Sequence, residues 1–184
     1  MKFTRRSFAS SVALLLLLLF VPATSQARKS ASESYFMYVG TYTGAESKGI
    51  YAYRFDAGTG QAMPLGLVAE TVNPSFLAID PTRRFLYAVN EVSDYQGKKT
   101  GAVSAFAIDR KSGKLTFLNE VPSHGAGPCY VSLDQTGKYG LVANYDSGSV
   151  AVFPVLKDGQ LGEASAVDQD TGHGPYPEHQ EGPK

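Results

Sequence analysis

Pro74-Ser75-Phe76-Leu77-Ala78-Ile79-Asp80 returns 54 residues later as Pro128-Cys129-Tyr130-Val131-Ser132-Leu133-Asp134. Both copies continue through a polar turn, Pro81-Thr82-Arg83-Arg84 or Gln135-Thr136-Gly137-Lys138. Each then enters a second apolar run, Phe85-Leu86-Tyr87-Ala88-Val89-Asn90 or Tyr139-Gly140-Leu141-Val142-Ala143-Asn144. A third run follows, Gly101 to Phe106 or Gly148 to Phe153, and Gly49 to Phe55 is an earlier partial copy. The downstream turn Asp56-Ala57-Gly58-Thr59-Gly60-Gln61 matches Asp109-Arg110-Lys111-Ser112-Gly113-Lys114, and Lys157-Asp158-Gly159-Gln160 is a shorter version. Period-two alternation within the runs and Gly/Asp turns between them predict four-stranded antiparallel units. A β-sandwich would explain the strands but not the recurrence of Pro, Asp, Thr and Asn in register. A β-propeller explains both, because each blade repeats one four-stranded unit. The fold class expected is therefore all-β, an incomplete propeller of about three blades. They comprise a partial blade from Tyr35 to about Glu70, full blades from about Asn73 to Pro122 and from His124 to about Val167, and the opening of a fourth. A propeller needs at least about four blades to close, so the chain is expected to be part of a longer one.

Ahead of the repeats, Lys2, Arg5 and Arg6 precede an apolar run from Val12 to Val21, then Pro22 and the small-residue stretch ending at Ala27. That order is a secretory signal peptide, residues 1–27, and the run is too short for a permanent membrane span. Thr4-Arg5-Arg6-Ser7-Phe8 resembles a twin-arginine signal, so export to the periplasm or beyond is expected, possible by that route or the general one. Residues 28–34 read as a polar lead-in and 35–184 as the propeller domain. The chain has 17 basic and 17 acidic residues. Without the three basic residues of the leader, 14 face 17 acids, a net charge of −3. Near-neutrality argues against nucleic acid or an anionic membrane as partner. The single Cys129 excludes an internal disulfide.

The first two strands of a unit form a hairpin, so Asn73, Asn90, Glu91, Gly127, Pro128, Asn144 and Tyr145 should meet at one mouth of the central channel. Rigid strands holding loop residues at a channel mouth suit them for binding. Asn90 and Asn144 have an alternative use, capping strand ends and satisfying backbone groups. Of the histidines, His124 lies in a glycine-rich loop on this face, and His173 and His179 follow near the end. No pair has ligand spacing, so no metal is expected. Gly125-Ala126-Gly127 precedes no helix and is no phosphate loop; no Gly-x-Ser-x-Gly elbow is present. No cofactor is expected.

Tyr38-Val39-Gly40-Thr41-Tyr42-Thr43 with Gly49-Ile50-Tyr51, Asn73-Pro74-Ser75-Phe76-Leu77 with Tyr87-Ala88-Val89-Asn90-Glu91, and Gly127-Pro128-Cys129-Tyr130-Val131 with Ala143-Asn144-Tyr145-Asp146-Ser147-Gly148 resemble the seven-bladed β-propeller lactonase family of 6-phosphogluconolactonase type. His173-Gly174-Pro175-Tyr176-Pro177-Glu178-His179-Gln180 is similar to that family's lead-in to a Pro-His-x-His segment, with His179 where arginine is usual and Lys184 where the first histidine would stand. The resemblance implies seven blades, fewer than half of them here, and hydrolysis of a sugar lactone. Glu91 and His179 are then the catalytic candidates, and Asn90, Asn144, Tyr145 and His124 the substrate contacts. Water would attack the lactone carbonyl with help from a general base, and preset donors would stabilise the oxyanion. The competing expectation is an exported propeller that binds a carbohydrate or protein ligand without turnover.

Overall fold

A computed structural model of the chain describes residues 33–176 together with 182 and 183. The expected leader and the candidate His179 lie outside the described residues. The first sheet contains β1 (Ser34–Val39), β2 (Gly49–Asp56) and β3 (Ala62–Glu70). The second contains β4 (Leu77–Ile79), β5 (Phe85–Asn90), β6 (Ala102–Ile108) and β7 (Leu115–Pro122). The third contains β8 (Pro128–Leu133), β9 (Tyr139–Asn144), β10 (Ser149–Pro154) and β11 (Ala166–Gln169). In every sheet the strands pair antiparallel in chain order. Strand β8 packs on β4 and β5, so the leading strands of successive sheets lie side by side as blades about an axis.

Side chains specify the turns, which explains why the same letters recur. Asp80 accepts from the N–H groups of Thr82, Arg84 and Phe85 at 2.9, 2.7 and 2.7 Å and from the Thr82 hydroxyl. Asp134 repeats the arrangement with Thr136, Lys138 and Tyr139 at 3.0, 2.7 and 2.9 Å. The third turn residue is left-handed in both, Arg83 at φ 56° and Gly137 at φ 67°. At the β6–β7 turn, Lys111 and Ser112 donate to Asp109 Oδ1 at 2.8 and 3.3 Å; at the β2–β3 turn, Gly58 and Thr59 donate to Asp56 Oδ1 at 2.8 and 3.0 Å. These are Asx turns, in which a short carboxylate replaces a backbone acceptor. The shared turn identifies β1–β3 with β5–β7. The first blade therefore has no counterpart of β4 among the described residues.

Strand β5 is buried at all six positions because it is covered on both faces. Phe85, Tyr87 and Val89 meet Val131, Val142, Ala151 and Phe153 of the third blade. Leu86 and Ala88 meet Ile50 and Phe106, with Tyr38, Val68 and Leu77 around them. Period two sends alternate side chains to opposite neighbours, and each large apolar one contributes about 1.5–3 kcal/mol by leaving water. Asn90 continues the Leu86–Ala88 face toward the first blade. By the same alternation Asn144 continues the Val142 face toward the second.

Candidate functional site

The ends of β5 and β9 bring the expected mouth residues together. Glu91 N–H donates to Asn73 O at 3.0 Å, and Tyr145 N–H donates to Gly127 O at 2.8 Å, the same contact one blade on. Gly127 N–H in turn donates to Val92 O at 3.1 Å, and Ser93 Oγ to Asp146 Oδ2 at 2.7 Å, joining the loops of the second and third blades. Tyr145 is 53% exposed beside this junction.

Glu91, one of two carboxylates at this mouth with Asp146, is half-buried. Its Oε2 accepts from the Tyr42 hydroxyl at 2.8 Å and from the Ser75 hydroxyl. The hydrogen bond to Glu91 raises the Tyr42 pKa above the ordinary tyrosine value; slight burial, the Glu91 charge and nearby Cys129 add to it, against a smaller lowering by Ser75. Tyr42 is thus a protonated donor at neutral pH. Cys129 is the third blade's equivalent of Ser75, and Tyr42 joins the first blade to the second through Glu91. The rings of Phe76 and Tyr130, next in the chain to those two residues, pack with centroids 4.6 Å apart and remain exposed. Tyr42 and Ser75 were not singled out as site residues in the sequence. Tyr42 is 49 residues from Glu91, and neither periodicity nor spacing links them.

The two asparagines make local contacts within the protein. Asn90 is 3% exposed and Asn144 1%. Asn90 Nδ2 donates to Thr71 Oγ1 and Val72 O, both at 2.7 Å, and its Oδ1 accepts from Ser104 Oγ at 2.7 Å. Asn144 Nδ2 donates to Ser123 O at 3.0 Å and Ser149 Oγ at 3.2 Å. Each amide ties its strand end to the incoming loop of the preceding blade, the local use that asparagine has in turns. Gly125 lets that loop pass close by, since a Cβ there would come within 2.3 Å of Ser149 Oγ and 2.4 Å of Ser147 Oγ.

His124 lies in the glycine-rich loop before β8. It is exposed at φ 60°, and its ring lies 6.1 Å from that of Phe153 on β10, the third strand of its blade. Its ring is thus turned toward an outer strand of the third blade, and the stacking partner is not a residue of the Glu91 mouth. Beside the Tyr42 loop, an open cavity of about 570 Å³ is lined by Thr43, Ser47, Lys48, Glu70 and Thr71, among others. A second, of about 700 Å³, lies at the other end of the strands near Tyr35, Asp80, Arg83 and Arg110. The second is remote from Glu91 because it gathers the turn ends of β4 and β6.

Comparison with known proteins adds ancestry to this geometry. Residues 36–184 match the family model described as Lactonase, 7-bladed beta-propeller. The 6-phosphogluconolactonase of Bacillus subtilis (strain 168) is 42% identical over 149 residues, which are 81% of this chain and 41% of that protein. A crystal structure of a 6-phosphogluconolactonase-like protein from Bacteroides fragilis superposes with a TM-score of 0.73 at 45% identity, covering 82% of this chain and 40% of that one. The periplasmic gluconolactonase of Pseudomonas aeruginosa gives a TM-score of 0.68 at 39% identity, covering 78% and 41%. The chain thus spans about two-fifths of the length of these relatives. With its blade repeats, its Asx turns and a match over nearly the whole described region, the chain belongs to the seven-bladed β-propeller lactonase family.

Proposed function

We propose that these blades belong to a hydrolase that opens a sugar lactone. Water adds to the lactone carbonyl, the ring C–O bond breaks, and the ring oxygen leaves as a hydroxyl after taking up a proton. Glu91 engages the substrate, either activating water or fixing sugar hydroxyls, and His179 is the second catalytic candidate. Tyr145 lines the same mouth. The observation that carries this reading is the Glu91 carboxylate, held by Tyr42 and Ser75 where blades converge in a lactonase-family chain. The leader at 1–27 supports export, and a phosphorylated metabolic intermediate is not expected outside the cytoplasm. An unphosphorylated lactone such as D-glucono-1,5-lactone is the better match.

The test is lactone opening by the full-length protein, followed as acid release at constant pH, on D-glucono-1,5-lactone and its 6-phosphate. Glu91→Gln should lower kcat/KM by about tenfold or more, the scale of one lost charged hydrogen bond or one lost proton-transfer group. A wild-type rate in that variant removes Glu91 from the reaction. Failure of the wild-type protein to open either lactone favours a binding module instead.

A further inference from the structure

Asn73 stands at φ 42°, a left-handed backbone conformation, and its counterpart one blade on is Gly127 at φ 62°. Both carbonyls accept the same bond from the next loop, so the backbone contact is served by glycine. An asparagine here accepts some strain and adds a side chain. Both polar atoms of that side chain are engaged. Its Oδ1 accepts from Thr43 N–H at 2.8 Å and Thr43 Oγ1 at 3.0 Å, and its Nδ2 donates to Glu91 O at 3.1 Å. Asn73 therefore clamps the 40–48 loop of the first blade onto the Glu91 loop of the second. Tyr42, adjacent to the clamped Thr43, is thereby delivered to Glu91 Oε2. Ser75, two residues beyond Asn73, reaches the same oxygen. The other carboxylate oxygen, Oε1, has no hydrogen-bond partner among the described residues. Both hydroxyls keep lone pairs for a further donor.

Resting on the lactone reading above, we propose that Tyr42, Ser75 and Glu91 form a subsite for adjacent ring hydroxyls of a polyhydroxylated lactone, with Glu91 Oε1 as the acceptor and Asn73 as the positioning residue. An open carboxylate oxygen, Oε1, next to two hydroxyls bound to its Oε2 neighbour matches vicinal hydroxyls, each of which can donate and accept. In this arrangement Glu91 recognises the sugar rather than taking a proton from water.

The experiment uses the full-length protein and two pairs of probes. D-glucono-1,5-lactam, which resists hydrolysis, is compared with unsubstituted 2-piperidone for binding by calorimetry. D-glucono-1,5-lactone is compared with δ-valerolactone for turnover. The wild-type protein should bind the hydroxylated lactam in preference to 2-piperidone. Tyr42→Phe and Asn73→Gly should each lower that preference, and the corresponding kcat/KM preference, by about tenfold, the loss of one hydrogen bond to a charged group. Asn73→Asp retains the Thr43 acceptor and should restore part of it. Tyr42 is 64% exposed, so its phenylalanine variant does not threaten folding. Equal losses on hydroxylated and plain probes, or unchanged lactam affinity in Tyr42→Phe, overturn the subsite; so does a wild-type protein that does not bind the lactam. A wild-type protein that binds the lactam with the expected variant pattern yet opens neither lactone refutes the hydrolase and leaves the subsite standing.

Discussion

Replacing Ala151 by serine should stabilise the protein, although Ala151 is fully buried in a blade interface. Blades two and three differ at one polar step. In the second, Asn90 pairs with Ala102 across β5–β6, and Ser104, two residues on and on the same face, lies opposite Glu120 of β7. Ser104 Oγ is 2.7 Å from Asn90 Oδ1 and 2.7 Å from Glu120 Oε2, so one hydroxyl proton serves two acceptors. In the third blade, Asn144 pairs with Ser149, and the positions of Ser104 and Glu120 are taken by Ala151 and Val167. The polar pair has become apolar while the asparagine has stayed. Asn144 Oδ1 is consequently buried without a hydrogen-bond partner among the described residues. A hydroxyl from A151S would have that oxygen as its acceptor, since Val167 offers none. An orphaned buried acceptor costs about 1–3 kcal/mol and a made hydrogen bond contributes about 1 kcal/mol net. After desolvation of the new hydroxyl, a gain of about 1 kcal/mol is expected, or about 2–4 °C in Tm for a domain of this size. Urea unfolding at constant m-value measures it. The gain should vanish when Asn144→Ala is already present, which a double-mutant cycle resolves. An A151S midpoint equal to or below wild type, or an equal gain in both backgrounds, refutes the reasoning.

Two further outcomes follow from the turns and the blade interface. The Thr136 hydroxyl and then the Tyr139 N–H hold the Asp134 pKa down at about 2, and the Asp80 pKa is also lowered because hydrogen bonds from Thr82, Phe85 and Arg84 outweigh the burial that would raise it. Both are depressed below the ordinary 3.8, so their stabilisation is complete above that value and is lost as pH falls toward about 2. A urea midpoint that declines below about pH 4, and declines less steeply in Asp134→Asn, is the expected result. Tyr87, fully buried, donates to Gly159 O at 3.0 Å, linking β5 to the turn after β10, and burial pushes its pKa up so that it stays a donor in alkaline solution. Tyr87→Phe strands that carbonyl and should cost about 1–2 kcal/mol in urea unfolding; a neutral effect would mean that solvent reaches the carbonyl.

Antiparallel four-strand units, their turns and their boundaries were legible in the residues themselves. Alternation along a strand and the Asp-led turns are local physics, decided by neighbours two to five positions apart, and the 54-residue recurrence reveals that one unit is used repeatedly. The mouth formed by Asn73, Glu91, Gly127 and Tyr145 was legible too, because a hairpin must return to the face it left. What each polar side chain does there depended on contacts between blades. For Asn90 and Asn144 the sequence leaves both ligand contact and strand-end capping open, and it is the incoming loop from the preceding blade that accepts their amide protons. His124 sits in a glycine-rich loop, and only the folded blade sets its ring beside Phe153. Tyr42 and Ser75 lie in stretches that mark the family but not a role, and only the packing of the first blade against the second sets their hydroxyls on Glu91. Hydrogen bonding is short-ranged and directional, so its partners across a blade interface are chosen by the assembled blades and not by the order of the letters.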